Sequence, residues 1–106
     1  MYNLVLLAAR PSDWTHERFI GWWRGDHAEL TRTLPGLRSW RHTEIDTALE
    51  PRSEGWDGVS VLGFDTAEDL RKALDSPEWA AAVAQVGDMK GRRIAVMGGE
   101  KDMLAG

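Results

Sequence analysis

The chain switches between two hydrophobic periods in an order that few folds accept. Residues 3–9 (NLVLLAA) form a nearly continuous apolar run, as a buried strand allows on both faces. Arg10, Pro11, Ser12 and Asp13 then make a turn cluster. Thr15 is placed to cap a helix, with Glu17 in its first turn and Trp14 and Phe19 spaced as a hydrophobic staple. Pro35 and Gly36 stop that helix after about Leu34. Along it Phe19, Trp23, Leu30 and Leu34 fall within about 60° of one another, and His27 lies about 20° beyond that stripe. Gly25, inside the helix, costs about 1 kcal/mol relative to alanine, which points to close packing or helix adjustment beside the histidine.

From Leu37 to Ile45 the residues alternate, so Arg38, Trp40, His42 and Glu44 share one face of a strand and Ser39, Arg41, Thr43 and Ile45 the other. Residues 46–57 are polar and breaker-rich, a loop. VSVLGF at 59–64 is the next strand. Thr66 with Asp69 reads as a capping box for a helix through about Leu74, and Ser76 with Pro77 restarts it, with Trp79, Ala80, Val83 and Val86 at helical spacing and Gly87 as the stop. After a short polar linker, IAVM at 94–97 is the last strand, and GGEKDMLAG is a tail loosely held unless a partner subunit takes it. The order β-α-β-β-α-β is that of the ferredoxin-like α+β fold, a four-stranded antiparallel sheet with two helices on one face. The other face would be bare, and a second copy packed sheet to sheet, a homodimer, is the simplest cover for it.

A chain of 106 residues makes one domain, spanning 1–106, large enough to fold without staples. With no cysteine, disulfides, thiolate metal sites and thiol nucleophiles are excluded, which fits a reducing cytoplasm. The net charge of -4, with basic residues scattered among acids, argues against nucleic acid or an anionic membrane as partner. The opening MYNLVLLAAR is too brief for a membrane span and wrongly flanked for a signal peptide. Six tryptophans suit a core, a subunit interface or a pocket for a flat apolar ligand.

His27 is the first candidate for chemistry, because an imidazole at the edge of an apolar stripe is desolvated and tuned for proton transfer near neutral pH. The competing reading is a core histidine satisfied by a backbone carbonyl or a neighbouring acid. Asp26 is about 100° round the helix and no orienting partner. His42 and Trp40 share a strand face; if it meets the helices, His42 converges with His27 as an acid and base pair, and otherwise both belong to the subunit interface. Glu44 is about 7 Å along the strand from His42 and reaches it only through a bend. His16, His27 and His42 lack the local spacing of a metal site, so no metal is expected. GDMKG and MGGEK lack the strand-loop-helix context of a phosphate loop, and no serine sits on a nucleophile elbow.

FIGWWRGDHAELTRTLPGLRSW and DGVSVLGFDTAEDLRKALDSPEW, followed by a short closing strand, resemble the EthD family of small dimeric α+β barrel proteins. The most specific residues are Trp23, His27, Ala28, Leu30, Pro35 and Gly36, reinforced by Ser76, Pro77, Glu78 and Trp79. The resemblance implies a ferredoxin-like fold, a homodimer whose sheets form a barrel, and a pocket between sheet and helices in each subunit. Members are linked to degradation of ethers such as ethyl tert-butyl ether, fungal relatives act as dehydratases or decarboxylases on polyketides, and related methylmuconolactone isomerases use a histidine. Trp40 stands where many members carry tyrosine, and Gly63 where an aromatic is common. The expectation is a cofactor-independent enzyme, a lyase or isomerase, acting on a small apolar cyclic or aromatic molecule. His27 is its general acid or base, His42 assists, and Trp23, Trp40 and Trp79 form the walls. The alternative is a non-catalytic carrier of a hydrophobic small molecule that serves a partner oxygenase. Nothing in the residues themselves favours direct oxidation with oxygen or haem.

Overall fold

The first apolar run becomes one of the two interior strands of the sheet. In a computed structural model that describes residues 1–87 and 93–105, Tyr2–Ala8 (β1) pairs antiparallel with Gly58–Phe64 (β3) on one side and with Arg93–Gly99 (β4) on the other. Ser39–Glu44 (β2) pairs antiparallel with β3, so the order is β2-β3-β1-β4. This is the ferredoxin-like α+β arrangement. Among the described residues no helix is long and apolar enough to cross a membrane.

Three helix starts fall where their caps predict. The Thr15 hydroxyl accepts from the Arg18 N–H at 3.1 Å, Thr66 from Asp69 at 3.1 Å and Ser76 from Trp79 at 3.1 Å, opening His16–Arg24 (α1), Ala67–Leu74 (α3) and Pro77–Val86 (α4). The first helical stretch is not one helix to Leu34. It breaks at Gly25 (φ -100°, ψ -105°), and Asp26–Thr31 forms a separate helix (α2). A Cβ at Gly25 would stand 2.8 Å from the Gly21 carbonyl oxygen, so only glycine fits the joint without moving the backbone. β4 also exceeds the expected 94–97: Gly98 and Gly99 pair with Asn3 and Tyr2. The tail then starts tethered, the Glu100 N–H donating to the Met1 carbonyl at 2.8 Å. The polar linker expected before β4 lies almost wholly outside the described residues.

Alternation along β1 and β3 turns Leu4, Leu62 and Phe64 toward the helices, where they bury with Leu34, Leu70 and Ala73. A second cluster joins Ala8 to Phe19, Ile20 and Trp23 of α1. On the opposite face the register lines up two apolar rows, Val61–Val5–Val96 and Val59–Leu7–Ile94, across three strands. Ile94 and Val96 are 48% and 56% exposed.

Candidate active site

Trp23 belongs to the second cluster and Trp40 and Trp79 pack against the first, and the two expected histidines lie at the seam between them. The Trp40 and His42 face of β2 meets the helices, which removes the subunit-interface alternative for both residues. The His42 ring lies on the Trp23 indole, with centroids 3.9 Å apart and planes 12° apart, and Trp40 meets its edge at 4.9 Å. Trp40 is fixed by its Nε1–H donating to the Ser60 hydroxyl at 2.8 Å. Gly58 allows this stacking: a Cβ there would stand 2.3 Å from the Trp23 ring. Burial, then the charges of Arg24, His27 and Arg32, hold the His42 imidazole down at about 4. Its Nε2 is buried and makes no hydrogen bond within the described residues.

His27 sits at the start of α2, just past the Gly25 joint, and stacks on Trp22 with centroids 4.6 Å apart. Its Nδ1 meets the Gln85 side-chain oxygen of α4 at 3.0 Å, so Nδ1 carries the proton and Nε2 the free lone pair. Burial lowers its pKa, against the Gln85 bond, and the Arg93 charge lowers it further. Asp26 makes no bond to it; Gln85 is the orienting partner. Nothing in the Ala- and Val-rich helix separates this glutamine from a solvated one before the fold is known.

All five expected residues converge on one hollow. A cleft of about 20 Å³ is lined by His27, His42, Trp23, Trp40, Trp79 and Arg93 among others. A second, of about 60 Å³, shares Trp23, His27 and Arg93 and opens between α1 and the end of α4. These rooms are water-sized rather than ring-sized, because the stacked indoles fill the space an aromatic ligand would take. A wider groove of about 290 Å³ reaches His42 from outside, past Arg24, Ala28, Arg32 and Trp40.

Glu44 does not orient His42. It accepts from His16 Nε2 at 2.8 Å and from Arg24 at 3.1 Å. His16 Nδ1 meets Asp57 Oδ1 at 2.7 Å, and Asp57, fully buried, also accepts from the Arg10 N–H at 2.6 Å and from the Arg10 guanidinium. The Asp57 bond raises the His16 pKa, against burial and with help from Glu44. Burial pushes Asp57 up, but its bonds to His16 and Arg10 more than offset this and the net shift is down. This network ties the segment before β3 to α1. Among the described residues no cluster of three His, Cys, Asp or Glu side chains suits a metal ion.

The EthD domain family matches residues 11–89. The chain belongs to the EthD family. No curated protein sequence matches it significantly. Solved structures do: an ethyl tert-butyl ether D (EthD) family protein from Bacillus halodurans superposes with a TM-score of 0.77 at 26% identity, over 95% of this chain and 99% of that one. A hydroxynitrile lyase from Passiflora edulis gives 0.71 at 15% identity, over 95% of each chain. SnoaB, a cofactor-independent oxygenase from Streptomyces nogalater, gives 0.68 at 10% identity, over 99% and 98%. Of the two departures from the EthD pattern, Trp40 lines the cleft that holds both histidines. Gly63 is not: it pairs with Asn3 and Ser39 on the face away from the helices, so it leaves the pocket unchanged.

Proposed function

We propose that this EthD protein is a cofactor-independent enzyme that moves a proton on a small, largely apolar cyclic or aromatic metabolite. Elimination, decarboxylation or isomerisation next to a carbonyl are the reactions in reach. The carrying observation is a pair of imidazoles on one hollow, both biased toward the neutral form by burial, one with an unpartnered ring nitrogen. In elimination or isomerisation His27 Nε2 takes a proton from the carbon beside the carbonyl, and the resulting imidazolium returns it to another carbon or to a leaving group; in decarboxylation the C–C bond to the carboxylate breaks to release CO2, and His27, protonated from water, delivers a proton to the enolate carbon left behind. His42, the weaker base, stays neutral and hydrogen-bonds the substrate's oxygen. Trp23, Trp40 and Trp79 exclude water, and because the clefts are water-sized the substrate's ring enters by displacing the half-buried Trp79, Trp23 being held on both faces. That a cofactor-independent oxygenase shares the fold supports chemistry without a resident cofactor.

The test needs no knowledge of the natural substrate. Exchange of the α-hydrogens of 2-tetralone in D2O, followed by proton NMR, reads proton abstraction directly. The protein is expected to accelerate exchange, and His27→Ala to reduce it by about 10²-fold or more while the fold is retained. Because the base works only when neutral and its pKa is lowered, activity should persist below pH 6.5 and fall as pH drops through the His27 value. Retained exchange in His27→Ala removes the assignment. Tryptophan quenching by the ketone without any exchange favours the carrier of a hydrophobic molecule.

The acting unit in this proposal is a homodimer. The two apolar rows on the open sheet face are the surface a second copy would cover. Sedimentation at micromolar concentration is expected to give a dimer for the wild type and a monomer for Val61→Asp combined with Val96→Asp; a wild-type monomer counts against it.

A further inference from the structure

Both clefts beside His27 share one charged wall. Arg93, the first residue of β4, lines the 20 Å³ and the 60 Å³ clefts alike. It pairs with Ala8 in the β1 register, which turns it to the helix side of the sheet, and its guanidinium lies 6.0 Å from the Trp79 ring centre. Among the described residues no carboxylate lines either cleft and Arg93 forms no ion pair. Other arginines near the site are matched: Arg24 meets Glu44 at 3.1 Å and Arg32 meets Glu29 at 2.5 Å. A cation on an otherwise neutral, indole-walled hollow, in a chain of net charge -4, is a local preference for an anion and not part of a basic surface.

We infer that Arg93 selects a substrate bearing a carboxylate on its ring, holding that group at the mouth of the hollow while the ring's apolar part lies against Trp79. This rests on the proton-transfer reading for the location of the site and adds the chemical class of the ligand. A guanidinium binds a carboxylate through two parallel N–H donors, which fixes both the position and the plane of the ring it carries. Such an anchor turns one edge of the ring toward His27.

The test compares benzoate with benzamide, two planar ligands of nearly the same shape that differ in charge, by tryptophan quenching at constant ionic strength. The wild type is expected to bind benzoate about tenfold or more tightly than benzamide. Arg93→Gln should bring the two to equal affinity without loss of benzamide binding, and Arg93→Lys should restore part of the preference. Arg24→Gln and Arg32→Gln should leave it intact. Equal binding by the wild type, binding of neither ligand, or a preference that survives in Arg93→Gln and is lost in Arg24→Gln or Arg32→Gln overturns the inference. This equilibrium readout is independent of turnover. Arg93-dependent preference without tetralone exchange would remove the chemistry and keep the anion site; exchange without the preference would do the reverse.

Discussion

Asp57→Asn is expected to lose about 2–4 kcal/mol of folding free energy, measured by urea unfolding at pH 5.5. Asp57 is 0% exposed, and its oxygens face only donors: Oδ2 accepts from the Arg10 N–H, and Oδ1 from the Arg10 guanidinium and His16 Nδ1. An asparagine there places its NH2 against a donor whichever way the amide turns, while the shape of the site hardly changes. The pH dependence separates this from simple packing loss. The Asp57 pKa is lowered from 3.8, so its contribution is present above about 3.8 and is lost as pH falls through the depressed native value. His16 is raised from 6.5, so its contribution is full below about 6.5 and is lost as pH rises through the raised native value. The gap between wild type and variant should therefore be widest between about pH 4 and 6.5 and narrow on both sides. His27 and His42 titrate in both proteins and cancel in that difference. A gap independent of pH would mean that Asp57 acts through packing alone.

The architecture was legible because every element carried its own local sign. The caps at Thr15, Thr66 and Ser76 and the alternation of β2 each act within a few residues, so no distant contact had to be known to place them. The stripe on the first helix also placed His27 at the boundary of the buried face, and it is half-buried in the fold. What escaped is whatever depends on two distant segments meeting. Alternation could not say which face of β2 turned inward; pairing with Leu62 and Ser60 decides it. Gln85 meets His27 across 58 positions and Asp57 meets His16 across 41, and a lone glutamine or a loop aspartate looks solvated until the fold closes. The break at Gly25 lay between these cases. The glycine marked the place, but whether the helix bent or merely packed closely there depended on the Gly21 carbonyl behind it.

Gly58→Ala should disturb the site more than its single methyl suggests. The added Cβ would stand 2.3 Å and 2.7 Å from two atoms of the Trp23 six-membered ring, far inside contact distance. Trp23 is 5% exposed and lies between Phe19, 5.7 Å away, and His42, 3.9 Å away, so the ring has no free direction in which to move. We expect a loss of about 1–3 kcal/mol from overpacking. The second consequence falls on His42. Its pKa, about 4, is held down first by burial, and displacement of Trp23 admits water to the ring, so its NMR titration midpoint should rise toward 6.5. The sign for stability follows. A histidine depressed in the native state contributes fully above pH 6.5 and loses that contribution as pH falls toward 4. The variant, with its midpoint nearer 6.5, loses less on acidification, so its deficit relative to wild type should shrink below pH 6.5. Trp23→Phe removes the outer ring atoms that clash, so the double variant Trp23→Phe, Gly58→Ala should be more stable than the sum of the single losses allows. Additive losses and an unmoved His42 midpoint would show that the glycine does not set the position of the indole, and the stacking that keeps His42 neutral would need another cause.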